Sequence, residues 1–224
     1  MFSTPYINSI SILFFSFLLS IFLALFLTFF YIKSSEKSKK GVRGVLFFIE
    51  SMPDALTVVL IQICVIWIFK NTGILLSNVV SFGGDSLLVL PILCLTIIPT
   101  LQLFNYFTSY VLEEQDKLYV QFLYSKGLRQ NYIIIVHLFR NALIHLVNHS
   151  KGIFLFMLSN LLILELILNV DGMMRFIQIY GLTDHRVLIW SLLSLYIPFF
   201  VIMRFGDVLV FQITGKSVKG ESLQ

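Results

Sequence analysis

Apolar residues along this chain come in long runs without alternation, separated by short charged stretches. A half-buried strand would alternate every second residue, and these runs do not. Runs of about 20 apolar residues match the hydrocarbon thickness of a bilayer crossed as helix. Lipid cannot hydrogen-bond an open backbone, so each run is read as a transmembrane helix. Five are expected, at about 10–32, 45–69, 86–112, 152–170 and 187–213. The second is interrupted by Glu50, Pro53 and Asp54, and the third carries Pro91 and Pro99. The fourth carries Glu165, and the fifth carries Pro198, Arg204 and Asp207. Pro91, Pro99 and Pro198 are expected to kink their helices. Residues 1–224 are read as a single all-α transmembrane domain.

Composition strengthens this reading. Of the 224 residues, 58% are hydrophobic and only 12% charged, with a mean hydropathy of +0.90. A soluble domain of this length has no core large enough to hide so much apolar surface. The first run is long enough to be a retained span, and the stretch before it, MFSTPYINSI, lacks the basic residues of a secretory leader.

The net charge of +4 sits in short loops. Lys33, Lys37, Lys39, Lys40 and Arg43 follow the first run, and Lys117, Lys126, Arg129, Arg140 and Lys151 lie between the third and fourth. Lys216 and Lys219 end the chain, whereas the alternate connections hold only Lys70, Arg175 and Arg186. This alternation predicts an external N-terminus and a cytoplasmic C-terminus. It also accounts for the basic charge without nucleic acid.

Candidate chemistry is sparse. Cys64 and Cys94 lie inside apolar runs and read as small hydrophobes. His145 and His149 have i,i+4 spacing, but no third ligand stands near them in sequence. Thr214-Gly215-Lys216-Ser217 resembles the end of a phosphate-binding loop, yet Val210 stands where that loop requires glycine. No catalytic set, metal site or cofactor site is expected in the chain. Arg204 and Asp207, three apart, are expected to pair across one helix face.

The connection from about 113 to 151 is the informative one. Apolar clusters at Tyr119, Phe122 and Leu123 and at Ile133–Val136 flank Lys126, Gly127 and Arg129. Glycine is unfavourable inside a helix, so Gly127 is expected to mark a turn between two short helices.

The stretch YVQFLYSKGLRQNYIIIVHLFRNALIHLV, residues 119–147, resembles the EAA loop of ABC-transporter permeases. Lys126-Gly127-Leu128 followed by Arg140-Asn141-Ala142-Leu143 is most similar to the dipeptide/oligopeptide/nickel branch. Pro53, Pro91, Glu165 with Gly172, and Asp207 resemble family positions in the same order, so the resemblance covers about 45–213. The chain departs from the family at Phe122-Leu123-Tyr124, where small residues are usual, and at Asp171, where a proline is usual.

The resemblance implies a MetI-like five-helix permease core in the bacterial inner membrane. It implies coupling to an ATPase through Tyr124, Ser125, Lys126, Gly127, Leu128 and Arg129. The implied partners are two ABC ATPase subunits that use the ATP, a second homologous permease, an extracellular substrate-binding protein and the lipid bilayer. Peptides or nickel-type chelates are the implied cargo. Glu165, inside an apolar run near its external end, is either on the transport path or an end cap. An ion-coupled secondary transporter and a non-transporting assembly partner are the competing classes, and the spans carry few of the midplane charges that an ion-coupled transporter needs.

Overall fold

The computed structural model describes residues 3–72, 88–181 and 184–214. Every regular element among them is helical. In chain order these are α1 (Ser3–Lys33), α2 (Glu36–Glu50), α3 (Asp54–Thr72), α4 (Val89–Gln115), α5 (Leu118–Ser125) and α6 (Gln130–Tyr132). A π-helical stretch, Ile133–Phe139, then leads into α7 (Arg140–Ile167). The short α8 (Met173–Phe176) continues into a second π turn, Ile177–Gly181, before α9 (His185–Thr214).

Among the described residues, four helices are long and apolar enough to cross a bilayer: Ser3–Lys33, Val89–Gln115, the continuous Gln130–Ile167 and His185–Gln212. The second expected span falls on α3, whose apolar run Ala55–Ile68 is shorter. The expected span 45–69 is therefore divided. Helix α2 stops at Glu50 and α3 restarts at Asp54, because Pro53 has no N–H to continue a helix and suits the position just before one. What the sequence suggested was a basic loop is instead the amphipathic α2.

The connection 113–151 is also shorter than expected. Helix α4 runs on to Gln115, and α7 has begun by Arg140, so Lys151 sits inside a helix. At 1.5 Å per residue the 38-residue path Gln130–Ile167 is about 57 Å long, well beyond the hydrocarbon layer. The fourth apolar run likewise ends at Ile167 and not at 170.

Helix α1 explains how a phenylalanine-rich segment packs. Beside large apolar residues, its buried face carries a series of small, mostly polar ones: Ser9, Ser16, Ser20, Ala24 and Thr28. Small residues let two helix backbones approach in lipid, and hydroxyls then bond across the gap. Ser16 donates to the Ile92 carbonyl at 3.0 Å, and the Thr28 and Thr108 hydroxyls meet at 3.1 Å, both on α4. The large rings of Phe15, Phe22, Phe26 and Phe30 are exposed on the outside, where the solvent is lipid.

Two core clusters divide the molecule lengthwise. One joins Ile12, Leu13 and Phe17 of α1 to Met157, Leu161 and Leu164 of α7, Met173 and Met174 of α8 and Phe199 of α9. The other joins Tyr31 and Ile32, Leu46, Phe107 and Val111, Val120, and Ile133 and Ile134. The first holds the α8 end, and the second holds the α5 end.

Candidate coupling turn and a buried carboxylate

Helix α5 ends in a Schellman motif. The Gly127 N–H bonds the Tyr124 carbonyl at 2.9 Å, and the Leu128 N–H bonds the Leu123 carbonyl at 3.4 Å. Gly127 is the left-handed residue, with φ of 76°. Leu123 and Leu128 each pack against the second core cluster. Arg129 is extended and starts the next helix, accepting from the Tyr132 and Ile133 N–H groups at 3.0 and 3.1 Å. Tyr124, Ser125, Lys126 and Arg129 are exposed. Lys126 lies over the Phe122 ring at 4.5 Å, and Leu118 is 81% exposed. The turn thus presents cations and bare apolar side chains together.

A polar clamp fixes this turn to the bundle. The Glu114 carboxylate accepts from Tyr119 Oη at 2.9 Å, from Asn141 Nδ2 at 2.7 Å and from Lys117. Asn141 also donates to the Tyr119 oxygen at 3.2 Å. Burial, and then the carboxylate it donates to, push the Tyr119 phenol up to about 12, so it stays a donor at any physiological pH. The end of α4, the start of α5 and the start of α7 are therefore one unit. Asn141→Ala removes two donated bonds from a half-buried network. We expect a loss of about 1–2 kcal/mol, read as a lower thermal midpoint, with coupled activity falling before the fold does.

At the other end, Glu165 is fully buried. Its Oε1 accepts from the Ser9 hydroxyl at 2.5 Å, and its Oε2 accepts from the Met174 and Arg175 N–H groups at 2.9 and 3.1 Å. Ser9 in turn accepts from the Met173 N–H at 2.6 Å. Three N–H groups at the start of α8 are thereby satisfied by one carboxylate and one hydroxyl (the capping problem of any helix start). Helix α7 closes just before in a second Schellman motif, with Asn169 at φ of 53° and the Val170 N–H on the Glu165 carbonyl at 3.0 Å. Gly172 lies against the carboxyl group so closely that a Cβ would overlap it. Its φ of −116° suits any residue, so the glycine is required by space alone.

The matched family model is that of the binding-protein-dependent transport system inner membrane component, over residues 16–213. That is most of the chain. The protein belongs to this family. A solved structure described as inward facing conformations of the MetNI methionine ABC transporter aligns with a TM-score of 0.66 at 17% identity, covering 96% of each chain. No curated protein sequence matches it.

The permease is thus a multi-pass membrane component of an ABC importer and not an enzyme. Membership implies an ATPase and a binding protein as partners. Of the residues singled out from sequence, Glu165 and Gly172 meet directly, and the six turn residues are contiguous in space. Pro53 precedes α3, and Pro91 lies in the first turn of α4, where proline is tolerated. The expected Arg204–Asp207 pair is not formed. Asp207 pairs with Lys151 of α7 at 2.9 and 3.2 Å, and Arg204 lies over the Phe200 ring at 5.4 Å. Lys151 reaches Asp207 because it is helical and faces α9, which a loop assignment could not reveal. His145 and His149 stack on Tyr110 and Tyr106, with ring centroids at 4.1 and 4.2 Å.

Sequence reasoning missed Ser9, Glu114 and Tyr119. Ser9 had a readable signal, since it begins the spaced series of small polar residues in α1. Glu114 had none, because its partners are 5 and 27 residues away.

Proposed function

We propose that this chain is the membrane-spanning permease subunit of an ATP-driven importer, and that the 118–129 turn docks on the partner ATPase. The observation that carries this is the exposed, glycine-closed turn clamped to α4 and α7 through Glu114, Tyr119 and Asn141. A push on such a turn reaches two long helices without loss in a flexible loop. ATP is bound and hydrolysed by the partner, two ATPase subunits serve the complex, and a second homologous permease completes the pathway. Two permeases rocking about the substrate would give alternating access. The N-terminus lies outside and the C-terminus in the cytoplasm, as the basic residues favour.

Cargo is proposed from the loop sequence. Lys126-Gly127-Leu128 with Arg140-Asn141-Ala142-Leu143 favours peptides or nickel-type chelates. The fold neighbour, described as a methionine transporter, favours a second reading in which a single amino acid is carried.

The test is co-purification of tagged chain in mild detergent, with uptake assays in cells that carry the complex. An ATPase and a second permease are expected with the wild type, and neither appearing would sink the proposal. Uptake of labelled dipeptide or nickel chelate supports the first cargo, and uptake of methionine alone replaces it with the second.

A further inference from the structure

Helix α2 does something that neither the coupling turn nor the pathway accounts for. At about 100° per residue, positions 37, 39, 40 and 43, all basic, fall on one half of the helix. Val42, Val45, Leu46, Phe48 and Ile49 fall on the other half. Only part of that apolar half is used by the bundle: Leu46 is buried and Ile49 packs beside it on the second core cluster. Val45 and Phe48 are 60% and 63% exposed.

The basic half is only partly engaged. Arg43 donates from Nε to the Tyr31 oxygen at 2.8 Å, and Lys39 pairs with Glu36 at 2.8 Å. Lys33 lies over Phe29 at 4.9 Å with its side chain exposed, and Lys37 and Lys40 are exposed as well.

Position decides what these two faces meet. Residues 34–35 join α2 to the end of α1, and residues 51–53 join it to the start of α3. Both neighbours are apolar helices, so α2 is tethered at both ends to the membrane surface. Exposed Val45 and Phe48 at that depth meet acyl chains, while lysines at the same depth meet headgroups.

We propose that α2 is an interfacial helix that holds anionic phospholipid. Lys33, Lys37 and Lys40 take the headgroup phosphate, and Val45 and Phe48 lie in the acyl boundary. Charge complementarity favours anionic over zwitterionic lipid, since each lysine near such a surface adds to its attraction. Gly44, which falls between Lys37 and Lys40 around the helix, has open space where a Cβ would stand, which leaves room for a headgroup to come close to the backbone.

The experiment is native mass spectrometry of the full-length chain released from nanodiscs of equal phosphatidylglycerol and phosphatidylethanolamine. Wild type is expected to retain phosphatidylglycerol preferentially. The triple variant Lys33→Gln, Lys37→Gln, Lys40→Gln is expected to lower that preference about ten-fold, and high salt to weaken it. Val45→Ser with Phe48→Ser is expected to lower the number of lipids retained, and Arg186→Gln to leave both unchanged. The thermal midpoint of the triple variant should match wild type, because the three side chains are exposed. An unchanged lipid preference in the triple variant overturns the proposal. So does loss of a co-purifying ATPase with lipid preference intact, which assigns α2 to protein docking instead. The lipid readout does not need the ATPase, so the two proposals fail separately.

Discussion

Gly172→Ala collapses the α8 end of the permease. A methyl group there overlaps the Glu165 carboxyl, and the backbone has no strain to relieve in exchange. The carboxylate must leave, and with it go the bonds to the Ser9 hydroxyl and to the Met174 and Arg175 N–H groups. Each buried polar group left without a partner costs about 1–3 kcal/mol. A total near 4 kcal/mol is a large share of the ~5–15 kcal/mol that holds a typical domain together.

The expected result is a thermal midpoint far below wild type, or protein cleared from the membrane before it can be purified. The cause can be isolated. Glu165→Ala is itself strongly destabilising, but adding Gly172→Ala to it should cost less than about 1 kcal/mol, because the overlap has gone. Glu165→Gln should be milder than Glu165→Ala, since the amide keeps one oxygen for the N–H groups. Additive losses in the double variant would show that Gly172 is needed for some other reason.

Gly127→Val is expected to do the opposite: leave the fold and break the coupling. Nothing lies within 4 Å of a Cβ at this position, so no clash arises. The strain is conformational. A φ of 76° is costly for an L residue, by roughly 1–2 kcal/mol, and worst for a β-branched one. The turn is exposed, so the bundle tolerates its loss, but Leu128 and Arg129 no longer leave the helix in the same direction. ATPase co-purification and uptake should fall about ten-fold, in proportion to that strain. The thermal midpoint should move by only a few degrees. Asn tolerates the left-handed region, so Gly127→Asn should retain more than Gly127→Ala, and Ala more than Val. Equal ATPase capture across the series would remove the turn from the coupling surface.

These two glycines look alike in sequence, and the structure separates them. One is needed for its backbone angle and the other for its missing side chain. Gly127 was legible because it interrupts a helical pattern between basic residues. Gly172 was legible only as one of a family-like pair with Glu165. That the carboxylate presses on the glycine while capping α8 depends on a chain reversal that periodicity does not encode.

Hydropathy alone determined that this chain is helical and that it lives in a membrane. Runs of that length have only one way to satisfy their backbone in lipid, whatever surrounds them. Glycine at 127 marked its break correctly, because it acts on its own backbone, whereas Pro53, read as interrupting one span, instead stands before the start of α3. Partnerships were decided only by the tertiary structure. Asp207 had Arg204 three residues away and bonded Lys151 instead, 56 residues distant. Glu114 collected Asn141, and Glu165 collected Ser9 across 156 residues. In each case a polar side chain in a low-dielectric setting took the partner that helix packing brought within reach, and packing is a property of whole surfaces rather than of spacing along one chain.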